Sequence, residues 1–185
     1  YEILDTPPER KFDDITHLAA QICETPIALI SLVDEKRQWF KSTLGLELRE
    51  LPRDISFCAH AILGGDLFEV FDASKDERFL TNPLVTGEPH IRFYAGAPLV
   101  TPDGQSLGTL CVTDYSPRKL SEEQRDGLKR LAAQVVRQLE VRHDRMQLIR
   151  NTEELRESNE RTEQIIAAAL DAVITMGMDG LIVSW

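Results

Sequence analysis

The chain has 185 residues, and its 21 Lys and Arg against 31 Asp and Glu give a formal net charge of -10. This balance excludes the basic surface that neutralises a nucleic-acid backbone, so we expect no nucleic-acid partner. Hydrophobic residues make up 42% of the sequence, and no apolar run approaches the roughly 18 residues that span a bilayer. We therefore expect a globular, cytoplasmic chain without membrane contact.

The first predicted element is a helix with one buried face. Thr6 to Glu9 has the pattern of an N-cap threonine, a proline at the first helical position and a capping-box glutamate. Apolar residues follow at helical spacing: Phe12, Ile15, Leu18, Ala19 and Ile22. Pro26 ends this helix. The apolar run 27–33 then predicts a strand in a covered sheet, with 38–42 as its hairpin partner.

The middle of the sequence predicts a short helix at 56–63 and a strand at 67–71. Residues 72–90 contain two prolines and many charges, which indicates a long loop with about one helical turn near 76–80. Strands at 91–100 and 106–114 are joined by Pro-Asp-Gly turn chemistry. This order of elements indicates an α+β fold with an antiparallel sheet.

Several motifs in this order resemble the GAF domain of bacterial signalling proteins. They are Phe12–Ile15, Pro26–Asp34 with Trp39–Ser42, Ser56–His60, Asn82–Val85, Ile91–Leu99 and Gly108–Val112. The resemblance covers residues 3–142. It implies a central antiparallel sheet of about six strands, helices on one face that form a dimer contact, and a small-molecule pocket on the other face.

The resemblance places this pocket between the sheet and the loop 72–90. The candidate ligand-binding residues are Trp39, Cys58, His60, Asp72, Phe79, Asn82, Arg92, Phe93 and Tyr94. Turn capping is an equally good interpretation of Asp72 and Asn82, and Arg92 could instead pair with an acidic side chain of the loop. No ligand is identified, and the absence of a cofactor is the simplest prediction.

Three alternatives would give the domain a cofactor or an activity. In bilin-binding relatives a helical cysteine is followed directly by histidine, whereas Ala59 separates Cys58 from His60 here. Free methionine sulfoxide reductases of this fold need cysteines gathered near the pocket. Cys23, Cys58 and Cys111 are instead expected on two helices and a late strand. Haem or metal ligation by His60 or His90 is the third alternative. The simpler interpretation makes Cys58 a small buried hydrophobic residue and His60 a packing residue.

Ser121 to Gln124 is a second capping box, and it opens a predicted helix of roughly 50 residues without proline. Its first part is expected to pack on the sheet through Leu128, Leu131, Val135 and Leu139. Further along, residues at alternating spacings of four and three form a heptad-like seam: Leu148, Thr152, Leu155, Asn159, Thr162, Ile166 and Ala169. This seam predicts a parallel two-stranded coiled coil, and therefore a homodimer, with a solvated single helix as the alternative.

Residues 171–185, with Asp179-Gly180 at a hairpin turn, resemble the opening of a PAS domain. A lone hairpin cannot bury a core and Tyr1 is not an initiator methionine, so we expect a piece of a longer protein. The expected organisation is a GAF domain at 3–142, a signalling helix at 143–170 and a truncated PAS domain at 171–185.

The expected function is sensory and regulatory, without enzymatic activity in this chain. A small-molecule or conformational signal would pass through the helix to the PAS domain and to an output such as a histidine kinase or a diguanylate cyclase. The competing interpretation is a purely structural dimerisation module that binds no ligand.

Overall fold

The computed structural model of the chain describes residues 1–174. In chain order the elements are α1 (Arg10–Cys23), β1 (Ile27–Val33), β2 (Arg37–Leu44), β3 (Glu50–Pro52), α2 (Phe57–Ala61), β4 (Phe68–Val70), α3 (Pro83–Thr86), β5 (Phe93–Val100), β6 (Ser106–Asp114) and α4 (Glu122–Ile174). The chain divides into two compact units, Tyr1–Glu140 and a second that begins at Val141. The hairpin turn predicted at Asp179-Gly180 lies outside the described residues.

The first unit is built on a six-stranded antiparallel sheet with the order β3-β2-β1-β6-β5-β4. β1 lies in the middle, and all of its residues except the last are buried because both faces of the sheet are covered. The six strands, flanking helices and long C-terminal helix confirm the predicted α+β fold.

The two faces of the sheet form two separate cores, since successive residues of a strand point to opposite faces. On one face, strand residues such as Ile30, Leu99 and Leu110 pack with α1 and with the first part of α4. On the other face, Leu29, Tyr94 and Cys111 belong to a second core that includes α2 and the loop between β4 and β5.

Helix α1 begins at Arg10, three residues later than the capping-box pattern predicted. The buried ammonium of Lys41 explains the difference, because it donates hydrogen bonds to Thr6 Oγ1, Pro7 O and Glu9 Oε1. The side chains expected to cap the helix thus bind Lys41. The predicted buried face is also partly wrong, since Leu18 and Ile22 are 46% and 40% exposed.

The capping box at the start of α4 is confirmed by two reciprocal hydrogen bonds. Gln124 N donates to Ser121 Oγ, and Ser121 N donates to Gln124 Oε1. Within the first unit, Leu128, Val135 and Leu139 are buried in the core on the sheet, and Leu131 packs against that core.

In the second unit the side chains of residues 141–169 are almost all exposed. Leu148, Leu155 and Ile166 are 67%, 66% and 53% exposed, and Asn159 is exposed as well. Across residues 1–174, no helix combines the length and the apolar character needed to cross a membrane.

Two short elements differ from the sequence-based expectation. β3 forms where only a connection was predicted, by pairing three residues with β2. Helix α3 at Pro83–Thr86 was not predicted either, and the Asn82 side chain caps it by accepting a hydrogen bond from Leu84 N. The turn predicted near 76–80 is present, since Leu80 N donates to Asp76 O at 3.0 Å. Both elements depend on very short segments that carry little periodic signal.

Candidate functional site

A small cavity lies between the sheet and the elements that cover its second face. Its volume is about 30 Å³. The loop between β2 and β3 contributes Leu46 and Leu48, and the loop between β4 and β5 contributes Leu84 and Pro89. The remaining lining residues are Ile27, Leu29, Gln38, Leu51, Phe57, Cys58, Ile91, Tyr94, Cys111 and Thr113. The wall is therefore mostly apolar, with a few polar groups and two thiols.

Helix α2 brings the first of these thiols onto the sheet. The Ser56 side chain caps the helix by accepting a hydrogen bond from Ala59 N at 3.0 Å. The Phe57 ring stacks on Phe79 and on Tyr94, with centroids 4.1 and 5.2 Å apart. These aromatic contacts fix the position of the short helix, so that Cys58 lies over β5 and β6.

Cys58 Sγ is 3.7 Å from Cys111 Sγ, and both side chains are buried. Three further groups donate hydrogen bonds to Cys58 Sγ, namely Gln38 Nε2 at 3.2 Å, Tyr94 OH at 3.2 Å and Thr109 Oγ1 at 3.1 Å. Sulfur in a neutral thiol is a weak acceptor. Three donors directed at one sulfur are the environment of a thiolate.

Two local features set the geometry of these donors. The Ser56 hydroxyl donates to Gln38 Oε1, which turns the amide nitrogen of Gln38 toward Cys58. Gly96 pairs with Cys111 across the sheet, and a Cβ at Gly96 would collide with the Tyr94 hydroxyl. The missing side chain at Gly96 therefore leaves room for that hydroxyl beside the sulfur.

The electrostatics distinguish Cys58 from the other two cysteines. Burial by itself raises the pKa of the Cys58 thiol, but hydrogen bonds from Cys111, Thr109 and Tyr94 outweigh it and lower that pKa below its usual value. The hydrogen bond to Cys58, together with burial, raises the pKa of Cys111 well above its usual value. Burial raises the pKa of Cys23 to about 11. Cys58 is thus the first thiol to ionise.

The structure brings three of the predicted site residues together. Cys58 and Tyr94 line the cavity, and Phe79 lies in the same core behind Phe57. Trp39 and Phe93 were expected as pocket walls, but both lie in the core on the opposite face of the sheet. Side chains alternate along a strand, so Gln38 and Tyr94, their neighbours in sequence, line the cavity instead.

The remaining predicted site residues make local contacts outside the cavity wall. His60 is exposed and packs edge-on against Phe79. Asp72 accepts hydrogen bonds from Ser74 and forms an ion pair with Lys75. Asn82 Nδ2 donates to Ile55 O, and Arg92 Nη1 donates to the carbonyls of Val85 and Ile91. These bonds hold the long loop in place, and ligand binding by these residues stays a prediction.

The three cysteines are not spread apart as the sequence suggested. Cys58 and Cys111 are in contact, while Cys23 lies in the core on the other face. Among the described residues, no three His, Cys, Asp or Glu side chains converge in the manner of a metal site.

Sequence reasoning missed Gln38, Ser56, Thr109, Cys111 and Thr113 as members of the site. The alternation of β6 could have placed Cys111 on the face opposite Leu110 and Val112. However, no local pattern indicates that α2 docks on this strand. The contact between residues 58 and 111 depends on tertiary packing.

The sequence is similar to a known protein family over most of its length. The family described as GAF domain matches residues 7–139. A curated relative, a cyclic di-GMP phosphodiesterase from Pseudomonas aeruginosa, is 53% identical over 116 residues. The match covers 63% of this chain and 20% of the relative, so the chain spans about a fifth of that protein's length.

Solved structures share the fold at low sequence identity. A type II free methionine-R-sulfoxide reductase from Thermoplasma acidophilum matches with a TM-score of 0.57 and 12% identity, covering 69% of this chain and 88% of the other. The blue-light absorbing form of the PixJ GAF domain from Thermosynechococcus elongatus matches with a TM-score of 0.58 and 19% identity, covering 75% and 88%. These similarities establish the fold alone.

Proposed function

Because this chain belongs to the GAF domain family, we propose that it is the sensory and regulatory module of a cytoplasmic signalling protein. Its main support is the continuity of α4, which begins against the GAF sheet and extends to Ile174. A change at the cavity would alter the packing of α2 and the sheet, and α4 would transmit that change to an output domain.

We further propose that the output acts in cyclic dinucleotide signalling. The 53% identity with part of a phosphodiesterase named for cyclic di-GMP supports this assignment. A histidine kinase output, reached through a PAS domain at 171–185, is the second possibility. In either case the GAF domain at 3–142 and the signalling helix at 143–170 would regulate the reaction and not carry it out.

The module would work as a parallel homodimer. In the second unit, exposed apolar side chains such as Leu148, Leu155 and Ile166 are spaced as in a coiled-coil seam. We expect sedimentation of the chain at micromolar concentration to show a dimer. Leu148→Glu with Leu155→Glu should shift it to monomer, whereas Arg150→Glu with Arg156→Glu, which adds acidic residues off the seam, should not. A monomeric parent chain would contradict the proposal.

A chimera tests regulation directly. The matching 116-residue segment of the P. aeruginosa phosphodiesterase is replaced by the corresponding part of this chain, and hydrolysis of cyclic di-GMP is measured. We expect hydrolysis to persist and to change at least about two-fold when Gly108→Ala distorts the sheet, while Gly65→Ala, at an open position, leaves it unchanged. Identical rates for the chimera, both variants and a version lacking the segment would instead support a spacer role.

A further inference from the structure

Apolar packing alone does not explain the surroundings of the two buried thiols of the cavity. A cysteine packed as a small hydrophobic residue needs no polar partners, yet Gln38, Tyr94 and Thr109 all donate to Cys58 Sγ. The Cys111 sulfur lies 3.7 Å from the same atom. This arrangement pairs an activated thiol with a second thiol at contact distance.

The cavity beside the thiols contains an unsatisfied polar group. Thr113 is 3% exposed and lines the cavity, and its hydroxyl has no hydrogen-bond partner among the described residues. An unpaired buried hydroxyl is destabilising, so the site favours a small polar guest that can pair with it. This observation is independent of the hydrogen bonds to Cys58.

The size of the cavity limits what that guest can be. The cavity offers about 30 Å³, which is enough for at least one water-sized molecule. A small hydroperoxide therefore fits, while a nucleotide or a tetrapyrrole does not fit without movement of the surrounding loops. Hydrogen peroxide has two heavy atoms and can both donate and accept hydrogen bonds.

We propose that Cys58 and Cys111 form a redox-active dithiol that reduces a small hydroperoxide such as hydrogen peroxide and closes to a disulfide. In the first step the Cys58 thiolate attacks one peroxide oxygen. The S–O bond forms as the O–O bond breaks, and the departing hydroxide takes up a proton to leave as water. Cys58 is then a sulfenic acid.

In the second step Cys111 resolves the sulfenic acid. Its sulfur attacks Cys58 Sγ, the S–S bond forms and the S–O bond breaks, and hydroxide leaves with the thiol proton of Cys111 as a second water. The two thiols lose two electrons and the peroxide gains them. The sulfurs need to approach from 3.7 Å to about 2.05 Å, the length of a disulfide bond.

The reaction is tested by treating the whole chain with hydrogen peroxide at pH 7 and measuring its mass. We expect a loss of two hydrogens, a peptide pair joined through Cys58 and Cys111, and reversal by dithiothreitol. Cys111→Ser should stop at a sulfenic acid on Cys58 that dimedone traps, and Cys58→Ser should leave Cys111 reduced. Cys23→Ser, on the other face, is the matched control and should behave like the parent chain.

Rates provide a second test that keeps both thiols in place. Tyr94→Phe and Thr109→Val each remove one donor to Cys58 Sγ, and each should slow oxidation about three- to ten-fold. Cumene hydroperoxide, which is far bulkier than hydrogen peroxide, should react at least about ten-fold more slowly than hydrogen peroxide.

Three outcomes would overturn the proposal. In the first, Cys58 and Cys111 stay reduced at hydrogen peroxide concentrations that oxidise free glutathione. In the second, hydrogen peroxide and cumene hydroperoxide react at equal rates. In the third, Cys23 is oxidised as fast as Cys58. The reaction does not depend on the regulatory role proposed above. Mass measurement tests the reaction and the chimera tests the role, so the two can fail separately.

Discussion

At the residue scale, Lys41 shows how one buried charge organises a chain segment. Its side chain is fully buried, and Nζ donates to Thr6 Oγ1, Pro7 O and Glu9 Oε1 at 2.7–2.9 Å. Nζ also lies 5.2 Å from the centre of the Phe12 ring. The lysine thereby ties the segment before α1 to β2.

We predict that Glu9→Gln lowers the free energy of unfolding by about 1–3 kcal/mol, because the Lys41 ammonium stays buried without its anion. Glu50→Gln, in an exposed ion pair with Arg37, should cost less than about 1 kcal/mol. Urea titrations of both variants measure the difference. Equal effects would show that the Glu9–Lys41 pair contributes no more than a surface pair.

The contribution of the Glu9–Lys41 pair to stability should fall at acidic pH. Burial raises the pKa of Glu9, but hydrogen bonds and charge interactions with Lys41 and Lys11 lower it overall. A carboxylate with a lowered folded-state pKa contributes stability above its unfolded pKa and loses it as pH falls through the folded value. The stability difference between the parent chain and Glu9→Gln should therefore shrink below about pH 4.5 in urea titrations. A difference that is independent of pH would contradict this.

Cys58 provides a second pH prediction. Because the pKa of Cys58 is lowered, its reaction with hydrogen peroxide should proceed at neutral pH, and the rate should fall as the pH drops through that pKa. An ordinary thiol reaches half-ionisation only near pH 8.5. Rates of sulfenic acid trapping in Cys111→Ser, measured between pH 5 and 9, should show a midpoint below the roughly pH 8.5 of an ordinary thiol. A midpoint at or above it would contradict the assigned role of the donors.

At the scale of elements, the centre of the sheet depends on close approach of β1 and β6. Gly108 pairs with Leu32 at this contact, and a Cβ at Gly108 would collide with the carbonyl oxygen of Ser31. The clash is with backbone, which cannot move without separating the two central strands. Gly65, by contrast, has open space around its would-be Cβ.

We predict that Gly108→Ala lowers the free energy of unfolding by about 2–4 kcal/mol through overpacking, while Gly65→Ala changes it by less than about 0.5 kcal/mol. Chemical denaturation followed by circular dichroism measures both. Similar midpoints for the two variants would show that β1 and β6 can separate at little cost.

The periodic elements were predictable from the sequence, and the short or docked ones were not. The runs 27–33, 91–100 and 106–114 carry enough apolar and β-branched residues to identify strands. The face of the sheet was predicted wrongly for Trp39 and Phe93, since a shift of one residue along a strand moves a side chain to the opposite face. The thiol pair depends on docking of the five-residue helix α2, which no local pattern encodes.

At the scale of the whole molecule, the first unit contains both cores, and the second unit is almost entirely exposed along residues 141–169. We predict that the shortened chain 1–140 folds cooperatively, with a melting temperature within about 5 °C of the full chain carrying Leu148→Glu and Leu155→Glu, which is expected to be monomeric. Differential scanning calorimetry measures both. A much lower temperature would mean that residues beyond 140 support the GAF fold.

The Ser56 hydroxyl serves two neighbours, since it caps α2 and also turns the Gln38 amide toward the Cys58 sulfur. The capping of α2 and the ionisation of the Cys58 thiol therefore both depend on Ser56 Oγ, and any free energy that couples them acts equally in both directions. Fraying of the first turn would lower the reactivity of Cys58, and oxidation of Cys58 would loosen the first turn. Oxidation of the Cys58 sulfur would thus shorten helix α2.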